Sequence, residues 1–599
     1  MLKGTFVAAA SLLACITDGS PVKPLDAQLI QRQSSGPGSY FAITGATGGV
    51  HPRLELRDLE TKGEMWNLFL LAMRDFQAMD QNDIASWYSI AGLWPQNAFL
   101  RQYADASRRS WDGVEGTTEG KDTSEMGYCP HANLLFGTWH RPYLALFEQQ
   151  LQTLAKRIAD QFPTPTRTTY QDAATKLRLP YWDWAKDIPT NVPAVPTSMS
   201  NDQVQVTFPN GTKGQIRNPL FEYRFHPKPA EINGTGCARV PTPNGPVGGD
   251  PGVCELSYTV RNAFDVSDHA GLNMDLHGIL KRQRSTLYNI LSQFQHFDYF
   301  SNDGGGCLRN SRVVGNLEAL HNPIHTNNWP GHMSPASVSA FDPMFWLHHA
   351  NVDRQLAIYQ AIYPDTYVEP CASQSSTFTI EEGEMLDAES PLTPFHSSAQ
   401  GTFWTSAAVR DIETFSYTYP ELVDNTSNTT LVANVRSQYG PKTSSSTKAK
   451  REQMQQIFLL DISFPINGYT DGHGSSLPYN VAVFVDDVPA DPKKWFAAEG
   501  FVGVVSALGG IHMVGEQMTR MTMELSDVLA ANKVSVDEAE GWLMERVRWR
   551  LGLGDTEIRR EEVKGVKVEL VSTEVKVSGR EDVFDEWVGE YTRYGLVDV

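Results

Sequence analysis

The chain has 599 residues, of which 41% are hydrophobic and 20% are charged, and these values are typical of a globular protein with a large core. Its net charge of −20 argues against nucleic acid as a partner, because phosphates bind to basic surfaces. No stretch after the N-terminus reaches the roughly 20 apolar residues that a helix needs to cross a bilayer, so we expect no membrane span.

The first 20 residues have the pattern of a secretory signal peptide. Lys3 is followed by an apolar run over residues 6–16, which is too short to cross a bilayer. A buried N-terminal helix is the alternative. Four Asn-x-Ser/Thr triplets are compatible with secretion and N-glycosylation, at Asn210, Asn233, Asn425 and Asn428. The pattern therefore predicts a secreted protein.

Three segments carry apolar residues at helical spacing and are predicted to be core helices: residues 62–80, 138–157 and 343–362. The chain between them is rich in Gly, Pro and Asn, notably over residues 188–256, which indicates long surface loops. Little strand signal occurs before residue 400. We therefore predict a mainly helical domain over residues 21–423.

The composition changes after residue 423. Residues 424–453 are polar and rich in Ser and Thr, which predicts a linker. Beyond it, residues 457–464 and 479–485 have the β-branched and aromatic content of strands, and residues 563–577 alternate apolar and charged side chains. This pattern predicts a second, β-rich domain over residues 454–599.

Two histidines of the helical region are spaced for metal binding. His321 and His325 lie four residues apart, so both imidazoles of a helix would point to the same side, one turn apart. Imidazole is the commonest side-chain ligand for copper and zinc. A third histidine from another helix would complete a three-coordinate site.

Longer segments place these histidines in motifs. Residues 128–148 contain Cys-Pro-His and Trp-His-Arg-Pro-Tyr with His131 and His140, and residues 318–325 read Glu-Ala-Leu-His-Asn-Pro-Ile-His. Residues 341–354 read Phe-Asp-Pro-Met-Phe-Trp-Leu-His-His-Ala-Asn-Val-Asp-Arg. These segments resemble the two copper motifs of fungal tyrosinases, in the type 3 copper (haemocyanin-like) family. The layout is similar to that of ascomycete tyrosinases, whose helical catalytic domain precedes a β-rich C-terminal domain.

The resemblance implies a type 3 copper helical bundle with long loops, followed by a β-sandwich-like domain. It implies a first metal site with ligands His131 and His140, and a second site with ligands His321, His325 and His349, the last rather than its neighbour His348. In the family the C-terminal domain covers the active site until proteolysis removes it. Residues 454–599 are therefore a candidate inhibitory pro-domain, and the dibasic pair Lys450-Arg451 is a candidate cleavage site.

Three further residues are assigned roles near the metals, the first two by the same resemblance. Glu318 and Asn322 match positions that hold and polarise a water beside the metals, so they are the candidate catalytic acid–base residues. An ordinary acid at a helix N-terminus is the alternative for Glu318. Asp353, one turn after His349, is predicted to orient a ligand ring.

Five cysteines follow the predicted signal peptide: Cys129, Cys237, Cys254, Cys307 and Cys371. The odd number leaves one cysteine with a different fate, and Cys129 is the natural candidate. Cys237 and Cys254 bracket a Gly/Pro-rich loop and are the favoured local disulfide, with the other two as a second pair. The resemblance implies a thioether between Cys129 and His131, and a free buried thiol is the alternative.

One ligand of the first site has no counterpart in this chain. The family places it between an Ile-Ala-Gly and a Trp-Asp-Gly stretch, which match residues 90–92 and 111–113, and Trp94 occupies its position. An indole donates one N–H and accepts nothing, so it cannot bind a metal. No histidine lies between His51 and His131, so we expect an incomplete first site. A replacement ligand from elsewhere is the alternative.

Three functions follow from this pattern. The first is non-oxidative Lewis-acid chemistry on a copper or zinc ion at the second site. Its precedent is the fungal haemocyanin-like cyclopenases of alkaloid secondary metabolism, which convert cyclopenin-type benzodiazepinediones into viridicatin-type quinolones. The second is a polyphenol oxidase that oxidises phenols to o-quinones with dioxygen. The third, least expected, is a metal or oxygen carrier like haemocyanin.

For the two enzymes the partner is a small aromatic or phenolic substrate, and the protein is expected to be secreted or associated with the cell wall or spore. The oligomeric state is not predicted.

Overall fold

The computed structural model describes residues 39–93, 111–114, 127–189, 191–226, 256–304, 307, 312–334, 338–441, 453–470, 476–509 and 517–597. The predicted signal peptide, Trp94, the cysteines at 237 and 254, and the Lys450-Arg451 pair lie outside these ranges.

Helices dominate the described chain up to residue 441. They are α1 (Leu56–Leu59), α2 (Glu64–Gln77), α3 (Trp87–Ala91), α4 (Phe136–Asp160), α5 (Thr164–Lys176), α6 (His269–Ser292), α7 (Phe297–Ser301), α8 (Leu317–Thr326), α9 (Pro343–Ile362) and α10 (Asn428–Tyr439). The three predicted core helices are confirmed as α2, α4 and α9. No described helix is both long and apolar enough to cross a membrane.

Short strands brace the helical part: β1 (His51–Pro52), β2 (Gln203–Thr207), β3 (Lys213–Arg217), β4 (Cys371–Ala372), β5 (Met385–Leu386), β6 (Pro391–His396), β7 (Phe403–Thr405) and β8 (Tyr417–Thr418). They form two-stranded pairs, of which β1–β8 is parallel and joins the start of the domain to its end. The second predicted disulfide is confirmed as Cys307–Cys371, and Cys129 is free and buried.

The linker predicted over residues 424–453 is wrong for residues 428–439, which form α10. The Ser427 hydroxyl caps this helix by accepting a hydrogen bond from the Thr430 backbone N–H at 3.2 Å. Leu431 and Val435 are buried, and the helix packs against α6 and α9. The hydroxyl of Tyr439 donates to the Asp183 carboxylate at 2.8 Å. The polar sequence therefore belongs to a packed helix with one narrow apolar side.

The C-terminal part, from Gln453 to Val597, is called the tail below. Its strands are β9 (Gln453–Pro465), β10 (Tyr469–Thr470), β11 (Ser476–Leu477), β12 (Tyr479–Val485), β13 (Phe501–Ala507), β14 (Met518–Glu524), β15 (Val547–Leu553), β16 (Thr556–Ile558), β17 (Lys567–Val577) and β18 (Glu586–Leu596), with helices α11 (Ser526–Ala531) and α12 (Val536–Arg546). Two antiparallel four-stranded sheets have the orders β13-β12-β15-β16 and β14-β9-β17-β18.

Both sheets of the tail bury side chains in one shared apolar core, including Leu460 of β9 and Val481 of β12. The fold class, a helical domain followed by a β-sandwich-like domain, is therefore confirmed. The tail packs directly on α8, where the backbone carbonyl of Ser506 in β13 accepts a hydrogen bond from Asn322 at 3.2 Å.

Candidate metal centre

Four buried histidines lie together where α8 meets α9. His321 and His325 are on α8, and His348 and His349 are on α9. One ring nitrogen of each lies within 4.8 Å of those of the other three, and all four side chains are fully buried. This four-histidine cluster contains every residue predicted for the second site.

The imidazoles of His325 and His349 face each other through the nitrogens that would bind a metal. His325 Nδ1 donates to the Met333 carbonyl oxygen at 2.7 Å, so its Nε2 carries the lone pair. This Nε2 lies 3.3 Å from His349 Nε2. Two nitrogens bound to one ion at about 2.05 Å and at a tetrahedral angle are roughly 3.4 Å apart. The pair therefore has the spacing of two ligands that share one ion.

Burial lowers the pKa of each histidine in the cluster, because an imidazolium ion loses its hydration there. The pKa of His325 is lowered to about 4. Burial together with the neighbouring histidines holds the pKa values of His321, His348 and His349 well below the usual range. All four rings are therefore neutral at neutral pH, the form in which imidazole binds copper or zinc.

The first site adjoins this cluster. His131 lies in the loop before α4 and His140 lies on α4. His140 Nδ1 donates to the Phe136 carbonyl oxygen at 2.6 Å, which leaves the Nε2 lone pair free of the helix backbone. The ring centroids of His140 and His349 are 4.5 Å apart. The structure therefore brings all five predicted ligands into one buried centre, while Trp94 lies outside the described residues.

Known proteins resemble both parts of this chain. The family model for the common central domain of tyrosinase matches residues 86–362, and the model for the tyrosinase C-terminal domain matches residues 466–570. A polyphenol oxidase 2 of Agaricus bisporus is 30% identical over 511 residues, covering 79% of this chain and 82% of that protein. The chain belongs to the tyrosinase family.

Two further relatives share more identity over a shorter length. The chain is 37% identical over 400 residues to a tyrosinase of Neurospora crassa and 36% identical over 385 residues to one of Podospora anserina. These alignments cover 64% and 63% of this chain but only 54% and 63% of the two relatives.

Solved structures share the fold. A mushroom tyrosinase in latent and active forms has a TM-score of 0.76 at 24% identity, covering 92% of this chain and 98% of that one. A mutant pro-tyrosinase of Aspergillus oryzae has a TM-score of 0.69 at 22% identity, covering 94% and 98%.

Family membership implies copper, and the four-histidine cluster fits it. Its donors are neutral imidazoles, two of which have the spacing of ligands that share an ion. Imidazole is also a good ligand for zinc. Within the described residues the first site supplies only two imidazoles, those of His131 and His140.

His348 belongs to the cluster, although the sequence predicted only its neighbour His349 as a ligand. Its ring lies parallel to that of His321, with centroids 5.0 Å apart and planes at 10°. Neither of its ring nitrogens has a hydrogen-bond partner among the described residues. The signal for His348 in the sequence was its position next to His349. Helix α9 is buried on all sides, so both of these consecutive residues contact packed neighbours.

Cys129 lies next to His140. Its Sγ lies 3.5 Å from His140 Nε2, and the residue is buried. Burial and the nearby carboxyl of Glu318 hold the pKa of the thiol well above its usual range, which favours the protonated form. The thioether to His131 stays a prediction.

Glu318 joins the two metal-binding segments of this tyrosinase-family chain. Its carboxylate accepts hydrogen bonds from the backbone N–H of Ala132, at 2.8 Å, and of Asp303, at 2.9 Å. Ala132 has a φ of +48°, a left-handed conformation that a non-glycine residue rarely adopts without support. Glu318 therefore stabilises the turn that carries His131. Burial and Asp303 hold the pKa of Glu318 well above its usual range.

The predicted role of Asp353 is wrong. Its carboxylate accepts hydrogen bonds from Arg141 at 2.8 Å, Tyr417 at 2.6 Å and Tyr419 at 2.7 Å, and pairs with Arg53 at 3.3 Å. Burial opposes its ionisation, but the two arginines hold the pKa below the usual value. Asp353 therefore anchors α9 to α4 instead of orienting a ligand ring.

Asp303 is a functional candidate that the sequence did not reveal. Its Oδ2 accepts a hydrogen bond from Asn322 Nδ2 at 2.8 Å, and the side chain is buried. Asn322 is the residue next to His321, so Asp303 lies one side chain away from a predicted ligand. The run Asn302-Asp-Gly-Gly-Gly indicates only a turn, and its partners lie far away in the sequence.

Proposed function

We propose that this protein is an enzyme that binds a copper or zinc ion in the four-histidine cluster and uses it without dioxygen on a small aromatic substrate, in a reaction of the cyclopenase type. The observation that carries the proposal is the contrast between the two sites. The second site has its full set of buried, neutral imidazoles, whereas no histidine lies between His51 and His131 to complete the first.

The residues around the cluster have distinct roles in this proposal. A bound ion with an open coordination position supplies Lewis acidity toward a substrate oxygen. His321, His325 and His349 hold it. Glu318, whose carboxyl group is buried on α8 one turn before His321, is the group that would hold and deliver a proton. The apolar surroundings of α8 and α9 exclude water from the substrate.

Oxidation of phenols is the second candidate, and two observations favour it. The relatives include a polyphenol oxidase and tyrosinases. In addition, His348 raises the number of buried histidines around the centre to six, the number that two three-coordinate sites need: His131, His140, His321, His325, His348 and His349. In this alternative His348 substitutes for the missing ligand, so its replacement by Ala would abolish oxidation.

Restoring the missing imidazole separates the two candidates. We expect the wild-type chain to convert a cyclopenin-type benzodiazepinedione in the absence of dioxygen and to oxidise catechol poorly. Trp94→His should increase catechol oxidation and the amount of bound copper, whereas Trp94→Phe should increase neither. Efficient catechol oxidation by the wild-type protein, lost in His348→Ala, would establish the second candidate instead.

We also propose that the tail limits access to the centre, as the names of a latent mushroom tyrosinase and of a pro-tyrosinase suggest for those relatives. Cutting at Lys450-Arg451 would separate every proposed ligand from the tail. Activity should then rise while the metal content stays the same. Unchanged activity after complete cleavage and separation would show that the tail does not inhibit. We also propose that the protein is secreted or associated with the cell wall or spore.

A further inference from the structure

We propose that Asp303 is a positioning residue for the metal ligand His321, and that the Thr519 hydroxyl of the tail holds Asp303 in that role. The inference takes the metal site at the four-histidine cluster from the proposed function. It makes the tail part of the hydrogen-bond shell of a ligand, in addition to any effect on access.

The first link joins His321 to Asn322. His321 Nδ1 lies 2.9 Å from Asn322 Oδ1 and 3.2 Å from the Glu318 backbone oxygen. Both partners are acceptors, so Nδ1 carries the proton and donates it. The lone pair is then on Nε2, which is the tautomer in which His321 binds a metal through Nε2.

The second link fixes which way the Asn322 amide points. Its Nδ2 donates to Asp303 Oδ2 at 2.8 Å and to the Ser506 backbone oxygen at 3.2 Å. Only the NH₂ group can serve two acceptors, so the amide oxygen must face His321. Asp303 and the tail backbone therefore hold the Asn322 oxygen against His321 Nδ1, where it favours the same tautomer as the Glu318 backbone oxygen.

The third link joins Asp303 to the tail. Its Oδ1 accepts hydrogen bonds from Thr519 Oγ1 on β14, at 2.9 Å, and from Asn316 Nδ2, at 3.0 Å. Asp303 and Thr519 are both almost fully buried. A buried carboxylate that loses a donor is not compensated by water, so the loss of Thr519 would change the position of Asp303.

The tail also fixes the other end of α8. Asn480 Oδ1 on β12 accepts a hydrogen bond from Thr326 Oγ1 at 2.9 Å, and Asn480 Nδ2 donates to Asn327 Oδ1 at 3.1 Å. The helix that carries His321 and His325 is thus bound to the tail by buried polar contacts at both ends. The tail therefore determines ligand orientation as well as covering the helix.

An isosteric change at Asp303 should break the relay. In Asp303→Asn, one of the two positions now occupied by carboxylate oxygens becomes an NH₂ group. If that group faces Asn322, two donors meet, and the Asn322 amide must rotate and present its own NH₂ to His321. If it faces the other way, two donors meet at Asn316. Either arrangement removes one of the hydrogen bonds that position residue 303 or Asn322, without changing the volume.

The test measures the metal ion directly. One equivalent of Cu²⁺ is added to metal-free, full-length protein, and its affinity is measured by competition with a chelator and its environment by electron paramagnetic resonance. The variants are Asp303→Asn, Thr519→Val and the double variant. Thr522→Val is the matched control, because Thr522 is also buried on β14 but its hydroxyl donates to the Val314 backbone oxygen at 2.6 Å.

We expect Asp303→Asn to lower the Cu²⁺ affinity by about 10–100-fold and to change the resonance spectrum, as is typical when a residue that orients a ligand is lost. Thr519→Val should weaken binding by a smaller factor, with a spectral change. It should add no loss in the Asp303→Asn background, because both act through one contact. Thr522→Val should match the wild type.

Three results would overturn the inference. Wild-type affinity and spectrum in Asp303→Asn would show that Asp303 does not position His321. Equal effects of Thr519→Val and Thr522→Val would show a general effect of the strand. Absence of Cu²⁺ binding by the wild type would overturn the metal site itself, and with it this inference, whereas the first two results leave the site intact.

Discussion

The two sites of the metal centre differ in how the chain supplies their imidazoles. All members of the second site come from α8 and α9, whose N-termini are capped by the Asn316 and Asp342 side chains. The first site combines His140 of α4 with His131 of the preceding loop, which is held by Glu318 of α8. The loop of the first site is thus held by a residue of the second, whereas both elements of the second site are packed helices.

This asymmetry is the reason to expect that the second site tolerates the loss of a ligand in the first. A site built from two packed helices keeps its geometry through helix packing and local hydrogen bonds. A site built partly on a loop needs each ligand to define it. We therefore expect the second site to bind metal on its own.

The largest expected effect comes from removing one histidine of each site. His325→Ala should lower metal affinity by more than about 100-fold, because three-coordinate sites tolerate little loss. His140→Ala should lower it by less than about 10-fold. His332→Asn is the control, since His332 is buried but lies outside the cluster. Equal, complete losses in both ligand variants would indicate that the two sites bind metal as a unit.

A second effect concerns the contact that holds the two sites together. Asp353→Ala leaves Arg53 and Arg141 buried without their shared carboxylate, so the free energy of unfolding should fall by about 3–5 kcal/mol in urea denaturation. Asp172→Ala removes an exposed partner of Lys176 and should cost no more than about 0.5 kcal/mol. If the two variants were equally stable, Asp353 would not anchor α9 to α4.

The smallest expected effect is a change of stability with pH, caused by His332, a buried histidine outside both sites. His332 accepts a hydrogen bond from the Val260 N–H at 3.0 Å through Nδ1, and burial lowers its pKa from 6.5 to about 3. The unfolded chain takes up a proton below pH 6.5 and the folded chain does not. The stabilising contribution of neutral His332 is therefore present above that pH and is lost as the pH falls towards 3.

His332→Asn keeps an acceptor near the position of Nδ1 but removes this proton uptake. Between pH 7 and pH 5, the stability of the metal-free wild type should fall by about 2 kcal/mol more than that of the variant. Urea denaturation at the two pH values measures this difference. Parallel pH profiles would mean that His332 already takes up a proton in the folded protein.

Much of the second site could be predicted from the sequence, because its signals are local. Helix α9 has the predicted bounds, since apolar side chains recur along it and the Asp342-Pro343 pair marks its start. The four-residue spacing of His321 and His325 predicted their shared direction. The inclusion of His348 could not be predicted, because it depends on what packs around a helix that is buried on all sides.

The features that the sequence does not reveal depend on distant partners. Asp353 is held by Tyr417, 64 residues away, and Asp303 by Thr519, 216 residues away. Helix α10 has a polar sequence, and its stability comes from packing rather than from its own periodicity. Such contacts are set by the tertiary structure, and no local pattern encodes them.

The most direct test of the asymmetry is the metal content of the purified, full-length wild-type protein. After equilibration with excess Cu²⁺ and removal of loosely bound ions, elemental analysis and electron paramagnetic resonance count the bound ions and show whether they are magnetically coupled. The contrast between the two sites predicts close to one ion per chain, with the signal of an isolated Cu(II). Two tightly bound ions per chain, with no signal because they are coupled, would contradict it.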